Sequence, residues 1–174
     1  MKKLFNILGF QAGWWACVIG ATKDYKYLGP AAMLLFLLLH FYFFSSHLCE
    51  IYLVIISAII GTGVDTLMAL TGIISYQGLY SAGIHCAPLW ITAMWGGFSA
   101  TVNHSLAWLK NRWLPAFALG AVFGPGAYIT GEKFGAIHFN SDILLVTVML
   151  AIVWGISIPG IYWLNEKLGL GSIK

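Results

Sequence analysis

Charge is what this sequence has least of. Its 174 residues include nine Lys or Arg and six Asp or Glu, 9% of the chain, where an ordinary soluble domain carries about 25%. So few charges cannot cover the surface of a water-soluble globule of this size. A soluble enzyme domain and a disordered chain are both excluded. The net charge of +3 does not signal nucleic acid either, because no basic run is longer than Lys2-Lys3. Cysteine is scarce as well. Cys17, Cys49 and Cys86 lie far apart and form no CxxC pair, so neither a disulfide framework nor a zinc ribbon is implied.

What the chain has in abundance is hydrocarbon. Hydrophobic residues make up 60% of it, aromatic residues 16%, and eight are Trp; mean hydropathy is +0.84. This is the composition of an integral membrane protein, and residues 1–174 read as a single membrane domain. About 20 apolar residues are needed to cross a hydrocarbon layer of about 30 Å. Six segments meet that length, at residues 5–22, 28–46, 51–72, 88–109, 114–131 and 143–164. The expected fold is all-α, a polytopic bundle of six transmembrane helices. Met1-Lys2-Lys3 before an apolar run resembles the start of a signal peptide. However, Trp14-Trp15-Ala16 ahead of Cys17 is a poor lipoprotein processing site, so residues 5–22 read as a retained helix. Residues 73–87 are apolar but interrupted by Gly78 and Gly83, and predict an interfacial or re-entrant hairpin.

Six spans leave both termini on one side. Lys2, Lys3, Lys110, Arg112, Lys167 and Lys174 share that side, against Lys23, Lys26 and Lys133 on the other. By the positive-inside rule the termini are cytoplasmic. The two longer connections, 73–87 and 132–142, then lie outside together.

Lipid tails cannot drive helices together by hydrophobicity, so small residues must allow close approach. Gly9, Gly13, Ala16 and Gly20 form one such face; Ala58, Gly61, Thr62 and Asp65 form another. Ala116, Gly120, Gly124 and Tyr128, and Ala151, Gly155 and Pro159, complete the set. Packing seams within the bundle are the plain reading. Contact with another inner-membrane protein or a second copy is the alternative. Pro125 and Pro159 are expected to weaken their helices. Tyr27, Trp90, Trp113 and Trp163 read as interfacial anchors.

An ionisable side chain inside a bilayer costs about 2.5–3.5 kcal/mol on insertion scales, so each one asks for a reason. At 1.5 Å per residue, Gln11, His40, Asn103 and His104 fall in an inner layer, roughly 7–10 Å deep. Asp65, Trp95 and Tyr128 fall in an outer layer, roughly 20 Å from the cytoplasmic edge. Asp65 and His104 therefore belong to different clusters. Asp65 fits a proton acceptor, a cation ligand or a catalytic carboxyl, with Tyr128 as its hydrogen-bond partner. The plainer alternative is a buried carboxyl bonded to Tyr128, Thr66 or a Trp N–H. His104 fits a catalytic base or a polar anchor, or simply a histidine bonded to Gln11 or a backbone carbonyl. Gln11, Trp14, Trp95, Asn103 and Glu132 are the candidate binding residues. His40 at the depth of His104 permits a bis-His haem, but no other cofactor signal accompanies it, and no cofactor or metal is expected. His85, Cys86 and His138, and the run His47-Leu48-Cys49-Glu50, carry no ligand spacing and read as solvated loop residues. A carboxyl in an accessible pocket would favour chemistry or transport. One sealed among Tyr and Trp donors would favour a scaffold.

Several of these residues form a pattern: Phe10-Gln11-x-Gly13-Trp14-x-Ala16-Cys17, Asp65, Pro88-Leu89-Trp90, Asn103-His104-Ser105, and Gly124-Pro125-x-x-Tyr128-x-x-Gly131 with Gly135-Ala136. In them the chain resembles, over nearly its whole length, the bacterial inner-membrane family known as domain of unknown function 2878. That resemblance brings no established activity. The family's genes often neighbour those of lipid-modifying enzymes, including cyclopropane-fatty-acid-synthase-like proteins. This implies membrane lipids as partners, and a role as a lipid-associated accessory or lipid-modifying protein, without assigning a catalytic residue.

Overall fold

The six apolar segments form six α-helices of unequal length in the computed structural model, which describes residues 2–45, 47–79 and 86–170. These are α1 (Lys2–Thr22), α2 (Leu28–Phe43), α3 (Leu48–Leu70), α4 (Leu89–Ser99), α5 (Trp113–Lys133) and α6 (Ile143–Lys167). Four of them, α1, α3, α5 and α6, are long and apolar enough to cross a membrane. The 16 residues of α2 rise about 24 Å and the 11 of α4 about 16 Å. Helices pack in sequential pairs, α1 with α2, α3 with α4 and α5 with α6, and α4 also touches α1 and α2. Lys174 and His85 lie outside the described residues, as does part of the expected hairpin at 73–87.

A continuous helix over 88–109 is not observed. It stops at Ser99, and only a short 3-10 turn follows at Ala107–Leu109. Hydroxyls compete for its carbonyls, a known way to unsettle a helix. Ser99 Oγ donates to the Gly96 carbonyl at 2.8 Å and Thr101 Oγ1 to that of Phe98 at 2.6 Å. The Ala100 carbonyl is taken by the Asn6 side chain at 3.1 Å. Non-helical backbone at membrane depth is tolerated where protein covers it, and Ala100, Thr101 and Val102 are all buried. The expected weak points at Pro125 and Pro159 leave α5 and α6 unbroken. The break in the bundle comes from polar side chains, not from proline.

The connections expected outside meet in a two-stranded antiparallel ladder. β1 (Ile74–Tyr76) pairs with β2 (Ile137–Phe139), Tyr76 opposite Ile137 and Ser75 opposite His138. Ile74, Tyr76, Ile137 and Phe139 point into the core. Trp90 is buried, its Nε1 donating to the Gln77 carbonyl at 2.9 Å, so it anchors this loop and not the lipid interface. Tyr27, Trp113 and Trp163 are exposed, as expected of interfacial aromatics. Asp142 is no idle loop residue: its Oδ1 accepts from the backbone N–H groups of Leu144 and Leu145 and caps α6.

Candidate functional site: a braced carboxyl, an aromatic cavity and a His–Glu–His cluster

Asp65, on the fifth turn of α3, is wholly buried. Every donor that reaches it comes from a different element. Tyr76 of β1 donates its hydroxyl to Oδ1 at 2.6 Å. Tyr128 of α5 donates to the same oxygen. Trp95 of α4 donates Nε1 to Oδ2 at 2.7 Å. The depth argument thus placed Trp95 and Tyr128 correctly, and the carboxyl is sealed among Tyr and Trp donors. Tyr76 escaped notice in the sequence because it sits outside the apolar segments. Burial, with Tyr128 and Asp65 close by, raises its hydroxyl far above the ordinary tyrosine range, so it acts as a neutral donor.

Glycine makes room for this arrangement at two places. A Cβ on Gly61 would sit 2.0 Å from the Trp95 ring, and one on Gly124 would sit 2.3 Å from that of Trp154. The two indoles stack with centroids 4.4 Å apart and planes 6° off parallel. The seams are therefore filled from within the chain. Gly13 faces Met33, Gly120 faces the Trp154 carbonyl and Gly155 faces Phe117.

Beside the stacked indoles lies a cavity of about 460 Å³ between α1, α4, α5 and α6. Its walls include Trp14, Trp95, Phe98, Tyr128 and Trp154, with Gln11 as a polar element near one end. Trp95 and Tyr128 thus face two ways, lining the cavity and holding Asp65 behind it. Asp65 itself is not part of the lining.

The remaining candidates go elsewhere. Glu132 Oε1 accepts from the Phe139 N–H at 3.4 Å, tying α5 to β2. Asn103 Nδ2 donates to Asn165 Oδ1 at 2.7 Å, joining the loop after α4 to α6. Among the described residues, the His104 side chain bonds neither Gln11 nor a carbonyl. Its Nε2 lies 2.9 Å from Glu50 Oε1, and His40 Nε2 lies 3.5 Å from the same oxygen. The imidazoles of His40 and His104 meet edge to face, 4.5 Å between centroids.

Glu50 corrects the reading of 47–50 as solvated loop. It is 4% exposed, in the first turn of a helix that begins three residues earlier than expected. The depths of His40 and His104 signalled an inner layer; the early start of α3 supplied its acid. Asn6 completes the layer. Its Nδ2 lies 3.5 Å from His40 Nδ1, and its Oδ1 accepts from Ser105 Oγ at 2.6 Å.

Comparison with curated proteins found no match, and neither did comparison with solved structures. A family profile matches residues 3–160. The chain belongs to the family described as protein of unknown function (DUF2878).

Proposed function

We propose that this protein is a lipid-binding accessory of the bacterial inner membrane, and that the aromatic cavity seats an acyl or polyene chain. The observation that carries this reading is the cavity itself. It is the size of a small-molecule site and is walled mainly by hydrocarbon and aromatic rings, which is how apolar ligands are usually held. Gln11 at its edge offers one polar group for a carbonyl or hydroxyl. Asp65 serves as the brace that fixes Trp95 and Tyr128 as walls. Both its oxygens are engaged by fixed donors, so it is assigned no proton transfer.

The termini are assigned to the cytoplasm. Lys2 and Lys3 open α1, Lys110 and Arg112 precede α5, and Lys167 ends α6; sequential helix pairing brings these ends to one face. Assembly with another membrane protein or a second copy is the alternative. On the spanning helices it has Gly63 and Gly160 to draw on, where a Cβ would meet open space.

Photo-crosslinking tests the cavity. The purified chain in nanodiscs containing a phospholipid with a diazirine on its acyl chain is irradiated and mapped by mass spectrometry. Adducts are expected on Trp14, Phe98 and Trp154, and are expected to vanish in Gly126→Leu. Gly126 lines the cavity, and a side chain there meets nothing within 4 Å. Adducts confined to outward residues such as Leu34 and Ile152, or unchanged in Gly126→Leu, would sink the reading. A deletion strain with an unaltered lipid profile would remove lipid modification, while leaving binding in place.

A further inference from the structure

Away from the cavity, His40 near the end of α2, Glu50 at the start of α3 and His104 after α4 bring three ligand atoms within 4.8 Å of one another. They come from three separate segments, and their convergence is made possible by the break in α4. A tetrahedral ion with bonds of about 2.0–2.2 Å spaces its ligands roughly 3.3–3.6 Å apart. Glu50 Oε1 stands 2.9 Å from His104 Nε2 and 3.5 Å from His40 Nε2, within a few tenths of an ångström of that spacing. His40 is wholly buried, and its Nε2 faces the carboxylate without completing a hydrogen bond. A buried donor or acceptor left in that state is costly, and an ion between the three groups would relieve it.

We propose that His40, Glu50 and His104 form a binding site for a divalent transition-metal ion of the zinc class. Two imidazoles and one carboxylate suit ions of intermediate softness, and three protein ligands leave a fourth position open. His104 is the least buried of the three, at 15% side-chain exposure. The ion takes both histidines through Nε2, so each carries its proton on Nδ1. For His40 this has a structural consequence. The Asn6 amide now presents Nδ2 toward Nδ1 at 3.5 Å, and it must turn its oxygen to that nitrogen instead. Ser105 Oγ, which accepts as readily as it donates, follows the turn. The bonds of Asn6 to the Ala100 carbonyl and from the Ser105 N–H are lost in the process, which lowers the affinity.

The test uses the full chain in detergent, stripped with a chelator and titrated with zinc or cobalt(II). The expected result is roughly one equivalent of zinc retained through gel filtration, and the visible absorption bands of a tetrahedral cobalt site. His104→Gln and His40→Gln should weaken binding beyond the roughly 10–100-fold that loss of an outer-shell partner brings. His138→Gln, at an exposed histidine of β2 outside the cluster, should leave the stoichiometry intact. Wild-type protein with native circular dichroism that shows no cobalt bands and no stoichiometric zinc would overturn the site. So would full retention in both histidine variants. The cobalt spectrum is read on the wild type, so a variant that fails to fold does not blunt the test.

Discussion

Two buried carboxyls in one helix make opposite arrangements. Asp65, toward the C-terminal end of α3, is met by three donors with nothing to exchange: two phenols and an indole. Glu50, near the start of the same helix, is met by two imidazoles, groups that can give up or take a proton or a metal. The first arrangement is saturated on every side. The second keeps a contact of 3.5 Å and a nitrogen without a completed bond. An acid in a membrane is usually taken as a sign of function. Under the roles proposed above, the more conspicuous acid is the structural one, and the acid near the helix end is the chemical one.

The comparison breaks most readily at Asp65. Asp65→Ala strands three donors, each costing about 1–3 kcal/mol when buried without a partner. A loss of several kcal/mol is expected in unfolding followed by tryptophan fluorescence in detergent, together with low abundance in cells. A stable Asp65→Ala protein would show that the brace is dispensable. Gly61→Ala approaches the same brace from behind. Its methyl group would push on the Trp95 ring, and overpacking of this kind costs about 1–3 kcal/mol. Lowered thermal stability and fewer acyl adducts on Trp154 are expected together; a change in neither would detach the stacked indoles from the cavity. The smallest effect is expected at the inner cluster. Glu50→Gln keeps one acceptor and loses the charge, at a cost of about 1 kcal/mol, while metal retention falls. Should Glu50→Gln destabilise the fold more than Asp65→Ala, the roles of the two acids would be reversed.

Most of the bundle was legible in the sequence because helix-length apolar runs and lone polar groups in them are strong signals. Depth alone separated Asp65 from His104 and put Trp95 and Tyr128 beside the acid. What stayed hidden depended on features that hydropathy does not record. The segment 88–109 is apolar throughout its first half, yet its hydroxyl and amide side chains dissolve the second half of the helix. Tyr76 lies in a loop whose strand pairing is with residues 137–139, far along the chain, and leaves no short-range trace. Glu50 was missed because a charged residue beside His47 and Cys49 looks like the end of a span; α3 begins at Leu48 and carries it inward.

Asp65 precedes all three of its donors along the chain, by 11, 30 and 63 residues. A ribosome therefore synthesises this acid before Tyr76, Trp95 or Tyr128 exists. Until the fifth helix is synthesised, the acid is held only in part. The early intermediate must keep it as a neutral acid or shelter it at the insertion channel. Biogenesis of this protein thus hinges on the arrival of one phenol late in translation, and a chain truncated before residue 128 should remain a client of the insertion machinery and its proteases.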